Sequence, residues 1–262
     1  MAKRTCFGCD IELTGDVATL EDILPKWLAA LIRQPNVRLN HFLHDETKAE
    51  DKVVRSHDLN TFKSRQVCAR CNNGWMSRLE TQAKPVLLPL MHLEKSILML
   101  TDDERRILSR WAVKTAFMIS TSQTIKFTLP LDIFRALGKD EASGPNDCFV
   151  FANQQQNLPK GFLYTSPADH LGDEIPIQLR LGFSLDHLHF VTVIPLDKEP
   201  RIARIAAGIH TPLWPLNAGV FACYKSVPTA LPTASAYLDF LTNLIEVGVL
   251  RKQGAVEFEF VR

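Results

Sequence analysis

The sequence predicts an α+β protein in two parts, a small-cored N-terminal part over 1–82 and an α+β domain with a mainly antiparallel sheet over 83–262. Three observations carry this reading. Two Cys-x-x-Cys pairs, Cys6/Cys9 and Cys68/Cys71, stand in a stretch whose apolar residues are thinly spread. A capped, helically periodic segment opens at Thr101. Beyond it, short apolar or alternating runs continue to the C-terminus, as strands do.

The chain has 262 residues, 46% of them hydrophobic, enough for a core without disulfides. It has no run of roughly 18 apolar residues, and MAKRTCFGCD has no apolar segment fit for secretion, so a cytoplasmic location is expected. There cysteines stay reduced, and close pairs point to metal binding. A net charge of +1 gives no global field for a polyanion. From Arg55 to Arg78, however, five cations face one anion, a patch that suits either phosphates or a solvated surface.

Taken in order, LEDILPKWLAALIRQ has Thr19 as a possible N-cap and apolar residues at helical spacing, predicting a short helix with Pro25 in its first turn. Residues 34–62 are charged and read as a polar loop. After Cys71, Asn-Asn-Gly supplies a turn, and helical spacing follows until Pro85 and Pro89 interrupt it. The domain junction is placed near residue 82. TDDERRILSRWAVKTAFMISTSQ opens with a Thr101 cap and first-turn acids; its stripe is core, with Lys114 lying along the core and its amine in water. CFVFA, IPIQLRLGF, HLHFVTVIP, RIARIAAGI and VFACY read as strands, followed by a helix at about 233–248 and a closing strand VEFEFV. Cys148 and Cys223 read as buried thiols. His187 and His189 alternate on a presumed strand, facing solvent or pairing on a metal. Trp27, Trp75 and Trp111 read as core residues joining the N-terminal part to the long helix.

In Cys6-Phe-Gly-Cys9 and Cys68-Ala-Arg-Cys71 the two-residue gap lets a tight turn aim both sulfurs at one ion, with backbone amides directed at them. Two such knuckles give a closed tetrahedral sulfur set, predicting a structural Zn2+ held by Cys6, Cys9, Cys68 and Cys71, with 58 residues looped out between the pairs. Gly8 is expected to supply a positive φ there.

The order CFGC, TLEDILPKWL, QVCARCNNGWMSRLE resembles the zinc-stabilised HNH endonuclease superfamily, and within it bacterial and phage HNH-like proteins with EH-x-x-P-K-W-L and C-x-x-C-N-x-G-W-M segments. The likeness covers residues 6–80, and RWAVKTAFM (110–118) resembles the tryptophan-lysine helix that follows in that group. It implies a ββα-metal, treble-clef-like N-terminal domain, a DNA partner, phosphodiester hydrolysis and a second, catalytic divalent cation such as Mg2+, Mn2+ or Ni2+. Position by position, Glu21 matches the acidic metal ligand and Asn72 the closing ligand. Asp22 stands where the family has its histidine base, and Lys63 where a middle asparagine is expected. Lys63, Arg65 and Arg70 are the nucleic-acid-binding candidates.

An aspartate is a far weaker base than imidazole. Either Asp22 is a second metal ligand, or His41, His44 or His57 serves as base, or metal-bound water reacts unaided, or the site is an inactive binding module. Without the resemblance, Glu21 and Asp22 also read as first-turn helix acids and Asn72 as a turn former.

Overall fold

The computed structural model describes residues 4–15, 17–32, 39–45, 50–57, 61–121, 129–145, 147–154, 162–165, 168–171, 175–195, 211–214 and 256–261. It is a mixed helix and sheet protein in which, among the described residues, every strand pair is antiparallel. Among the described residues no helix is long and apolar enough to cross a membrane.

The first strand, β1 (Glu21–Asp22), and the helix α1 (Lys26–Ile32) share the segment expected to be helical throughout. The helix begins only after Pro25, whose carbonyl accepts from Leu28 and Ala29. Upstream the chain is extended, because Thr19 and Ile23 donate to the carbonyls of Val67 and Phe62. Thr19 is therefore no helix cap, and Glu21 and Asp22 are not first-turn acids. Trp27 is half-buried beneath the Lys84 ammonium, which lies 5.4 Å from its ring centre.

The looped-out region forms a hairpin, β2 (Leu39–Asp45) and β3 (Glu50–His57), where a polar loop is expected from composition. Its polarity masks the strands; the pairing that orders them comes from the far end of the chain, where β11 (Val256–Val261) runs antiparallel to β2. The side chains of His41, His44 and His57 are outside the described part.

Strand β4 (Lys63–Ser64) pairs with β1, so that 17–23 and 62–69 form a two-stranded ribbon. The ribbon leads into the single turn α2 (Ala69–Cys71), a wide helical turn over Asn72–Met76, and α3 (Ser77–Met91). The expected Asn-Asn-Gly turn is thus helical, with Gly74 alone leaving helical values. Helix α3 continues through Pro85 and Pro89. Pro85 is exposed and Pro89 half-buried, while Leu79, Ala83, Val86, Leu87 and Leu90 are buried on the helix's inner side. Residue 82 lies inside α3.

Helix α4 (Asp102–Ser120) has the predicted start: Thr101 Oγ1 accepts from the Glu104 amide and the Glu104 carboxylate accepts from the Thr101 amide. From Leu108 to Ser120 every residue is buried, because α3 and the ribbon cover one side and the sheet the other. On the sheet side Trp111 stands edge-on to Phe183 and Phe190, 5.8 Å from each, and those rings stack at 5.2 Å.

After α5 (Leu131–Lys139) come β5 (Phe149–Gln154), β6 (Phe162–Thr165), β7 (Ala168–Leu171), β8 (Ile175–Leu185), β9 (Leu188–Pro195) and β10 (Thr211–Trp214). The sheet order is β10-β5-β9-β8-β6-β11-β2-β3, with β7 on β8. Strands expected at 148–152, 175–183, 187–195 and 256–261 are present. Those at 201–209 and 220–224, the helix at 233–248 and Cys223 lie outside the described residues. Cys148 is buried, and burial pushes its thiol above the ordinary range. His187 sits in the β8–β9 turn, whereas His189 is buried on β9 with its Nδ1 2.8 Å from Ser184 Oγ, so the two do not share a strand face.

Candidate metal centre and the neighbouring acid–lysine cluster

The first knuckle is a tight turn closed by the Cys6 amide on the Ile11 carbonyl (2.8 Å) and the Asp10 amide on the Cys6 carbonyl (3.0 Å). The second caps the ribbon, where Ala18 bridges Cys68. Together they bring the sulfurs of Cys6, Cys9, Cys68 and Cys71 within 4.8 Å of one another. A tetrahedral zinc with bonds of about 2.3 Å spaces its sulfurs about 3.8 Å apart, and Cys9 Sγ and Cys68 Sγ are 3.6 Å apart. The amides of Gly8 and Cys68 each donate to Cys6 Sγ at 3.3 Å. A hydrogen bond from the Cys71 thiol, opposed by burial and joined by these two amides, holds the Cys6 thiol down at about 4. Cys71, as the donor beside that thiolate, is pushed up, and burial raises Cys9. A divalent ion held by these sulfurs would displace the thiol protons. The donor set, its size and its amide bonds fit a structural zinc.

The positive φ expected of Gly8 belongs to Asp10 (φ 62°), just past the knuckle. Glycine is required at position 8 for space: a Cβ would lie 2.8 Å from Cys71 Sγ and 3.4 Å from Trp75 Nε1. Across the same indole, a Cβ on Gly138 would meet Nε1 at 2.7 Å. Trp75 is thus wedged between the first knuckle and α5. There Phe134 gathers Trp75 (5.3 Å), Phe117 (5.4 Å) and Phe7 (6.3 Å), and Arg135 pairs with Asp10.

Of the predicted catalytic residues, Glu21 and Asp22 sit on the ribbon, on its two opposite faces, and Asn72 lies just beyond it. Neighbours on a strand project to opposite sides. Glu21 and its cross-strand partner Ser64 are buried against α4, where Lys114 Nζ lies 3.4 Å from Glu21 Oε1 and Thr121 Oγ1 lies 2.8 Å from Ser64 Oγ. Asp22 and Lys63 form the half-buried outer pair, 3.2 Å apart. Glu21 and Asp22 therefore do not point at one common ion. The Asn72 amide donates to Thr19 Oγ1 at 3.4 Å, which seats it beside the ribbon near Thr19. Arg65 and Arg70 are exposed, with no ion pair among the described residues.

Lys114, expected to send its amine to water, is fully buried. Its ammonium lies 2.6 Å from Glu80 Oε1, on α3, as well as against Glu21. Burial disfavours the ammonium, but Glu80 and Glu21 more than offset this and hold its pKa above the ordinary range. Burial, with Glu80 adding to it and Lys114 opposing it, raises the Glu21 carboxyl. Lysine and glutamate are almost never fully buried without a partner, and this cluster supplies one. The sequence carries a signal for it: a single lysine inside the otherwise uncharged run WAVKTAFM. Glu80 offers none, since one acid on an amphipathic helix is ordinary.

A catalytic divalent cation does not fit these residues. Among the described residues, only the four cysteines form a group of three or more His, Cys, Asp or Glu side chains close enough to share an ion. The one carboxylate in the family's ligand position already faces an ammonium. Comparisons with protein-family models, with curated proteins and with solved structures find no match for this chain.

Proposed function

We propose that this chain is a zinc-ordered, HNH-related nucleic-acid-binding module in which internal ion pairs stand where that superfamily has its hydrolytic site. The observation that carries the reading is the Lys114 ammonium against Glu21, buried beneath the ribbon. The relation to HNH proteins is supported by the order of parts, a two-stranded ribbon, a knuckle and then α3, around a four-sulfur set. Binding is supported by Arg65 and Arg70, which project into solvent beside Cys68 and Cys71, on backbone that a bound zinc would hold rigid.

Fluorescence anisotropy with duplex and single-stranded DNA over a salt series tests it. On duplex DNA every phosphate that a cation neutralises adds about 0.9 to the steepness of log K against log salt. Arg65→Ala/Arg70→Ala should flatten the slope by about twice that while zinc content stays unchanged. No binding at low salt would sink the proposal. The hydrolytic reading keeps one support, the gathering of Glu21, Asp22 and Asn72 about a single ribbon. Plasmid nicking with Mg2+, Mn2+ or Ni2+ that disappears in Glu21→Ala would establish it instead.

A further inference from the structure

The acid–lysine cluster has the composition of a cation site. Glu21 comes from β1 and Glu80 from α3, and each sends an oxygen to within 3.4 Å of one point. Two carboxylates from different elements are a donor set that a hard divalent ion would accept. That point holds the Lys114 ammonium, carried by a helix that is buried from Leu108 to Ser120, and the lysine side chain is itself fully buried. Asp22, the next acid on the chain, leaves by the opposite face and pairs with Lys63. It is not free to recruit an ion to Glu21.

We propose that Lys114 is the resident cation of a Glu21/Glu80 cage and excludes a divalent metal ion from it, so that the site is filled from within the chain. The inference rests on the HNH-related reading only for the expectation of a metal at Glu21, and it is independent of nucleic-acid binding. A second cation in the same cage would sit against the ammonium, and among the described residues the nearest further carboxylate, Asp22, is already paired with Lys63. Removing the ammonium should leave the buried Glu21 and half-buried Glu80 carboxylates uncompensated and open the cage to an ion.

Mn2+ alone, added to zinc-loaded protein and counted by electron paramagnetic resonance, is the test. Wild type should hold no Mn2+ that depends on Glu21. Lys114→Met should gain one ion per chain with affinity at least tenfold above wild type, and Lys114→Met/Glu21→Gln should lose it again, while zinc stoichiometry stays constant. Lys114→Gln, shorter and polar, serves as a second opener should the methionine variant fail to fold. Two results overturn the proposal: a Mn2+ ion bound by wild type and lost in Glu21→Gln, or a folded, zinc-loaded Lys114 variant that gains none. The wild-type comparison with Glu21→Gln decides even if neither lysine variant folds. DNA binding is not read, so loss of that activity would leave this result standing, and the reverse.

Discussion

The ribbon carries a buried polar group at each end. At Cys68 four sulfurs converge on a point that backbone amides partly satisfy and that could hold a metal ion from outside the chain. At Ser64, four residues back, Glu21, Glu80 and Lys114 converge on a point that the chain satisfies with its own ammonium. Both remove charge from water, and both must be neutralised on the spot. The sulfur site is assembled from two short turns, so its partner can be a small ion taken up from solution. The carboxylate site draws on β1, α3 and α4, so its partner can be a side chain delivered by packing. The origin of the neutralising charge is what separates a metal centre from a structural ion pair here, and it sets what each cluster can do.

The sharpest way to break this contrast is to remove the external ion. Structural zinc contributes on the order of 10 kcal/mol in small domains, comparable with the whole stability of a domain. Chelation, or Cys68→Ser, should therefore unfold the ribbon and both knuckles. Metal analysis should find one zinc per chain before chelation, and near-ultraviolet circular dichroism should lose the signal of Trp75.

Removing the internal ion should cost less. Lys114→Ala strands the buried Glu21 carboxylate and the half-buried Glu80 carboxylate, and breaking a buried pair in this way costs about 3–5 kcal/mol. Urea unfolding at neutral pH measures it, and a destabilisation of under about 1 kcal/mol, the level of an exposed pair, would show that the ammonium is not the partner the geometry makes it. Smaller again is the effect of filling the space around Trp75, between the first knuckle and α5. Gly138→Ala places a methyl 2.7 Å from the indole nitrogen of Trp75, and overpacking of this kind costs about 1–3 kcal/mol. It should destabilise without changing zinc stoichiometry, whereas Gly8→Ala, at 2.8 Å from Cys71 Sγ, should also weaken zinc retention.

The smallest effect separates the two acids. Glu80 is the close partner of Lys114, and Glu21 is the distant one whose carboxyl is raised chiefly by burial. A folded-state pKa above the unfolded value adds stability that is complete below the ordinary carboxyl range and lost as pH rises through the raised value. The stability of wild type relative to Glu21→Gln should therefore fall as pH rises from about 4 toward neutrality. Glu80→Gln should be the more damaging substitution at neutral pH. Urea midpoints across that range check both signs, and a difference that grew with pH would reverse the assignment of the two acids.

Legibility in the sequence follows the range of the interaction. The Cys-x-x-Cys spacing, the Thr101 cap with its first-turn acids and the alternation in 175–195 are local, with each signal lying within a few residues of the structure it specifies, and all three are present as expected. The turn at Gly8 suggests a need for backbone freedom, yet the structure needs it small, because the contact that matters is with Cys71, 63 residues on. The hairpin 39–57 reads as loop because its composition is polar; its place in the sheet comes from pairing with 256–261, across nearly the whole chain.

The sequence by itself determined the four sulfurs, the capped core helix and the mixed α+β class, because turns, caps and periodicities are set by neighbours along the chain. Only the tertiary structure decided what Glu21 does. Its partners Glu80 and Lys114 lie 59 and 93 residues away, and whether a carboxylate binds a metal or an ammonium depends on which charge the fold delivers into the low-dielectric space beside it.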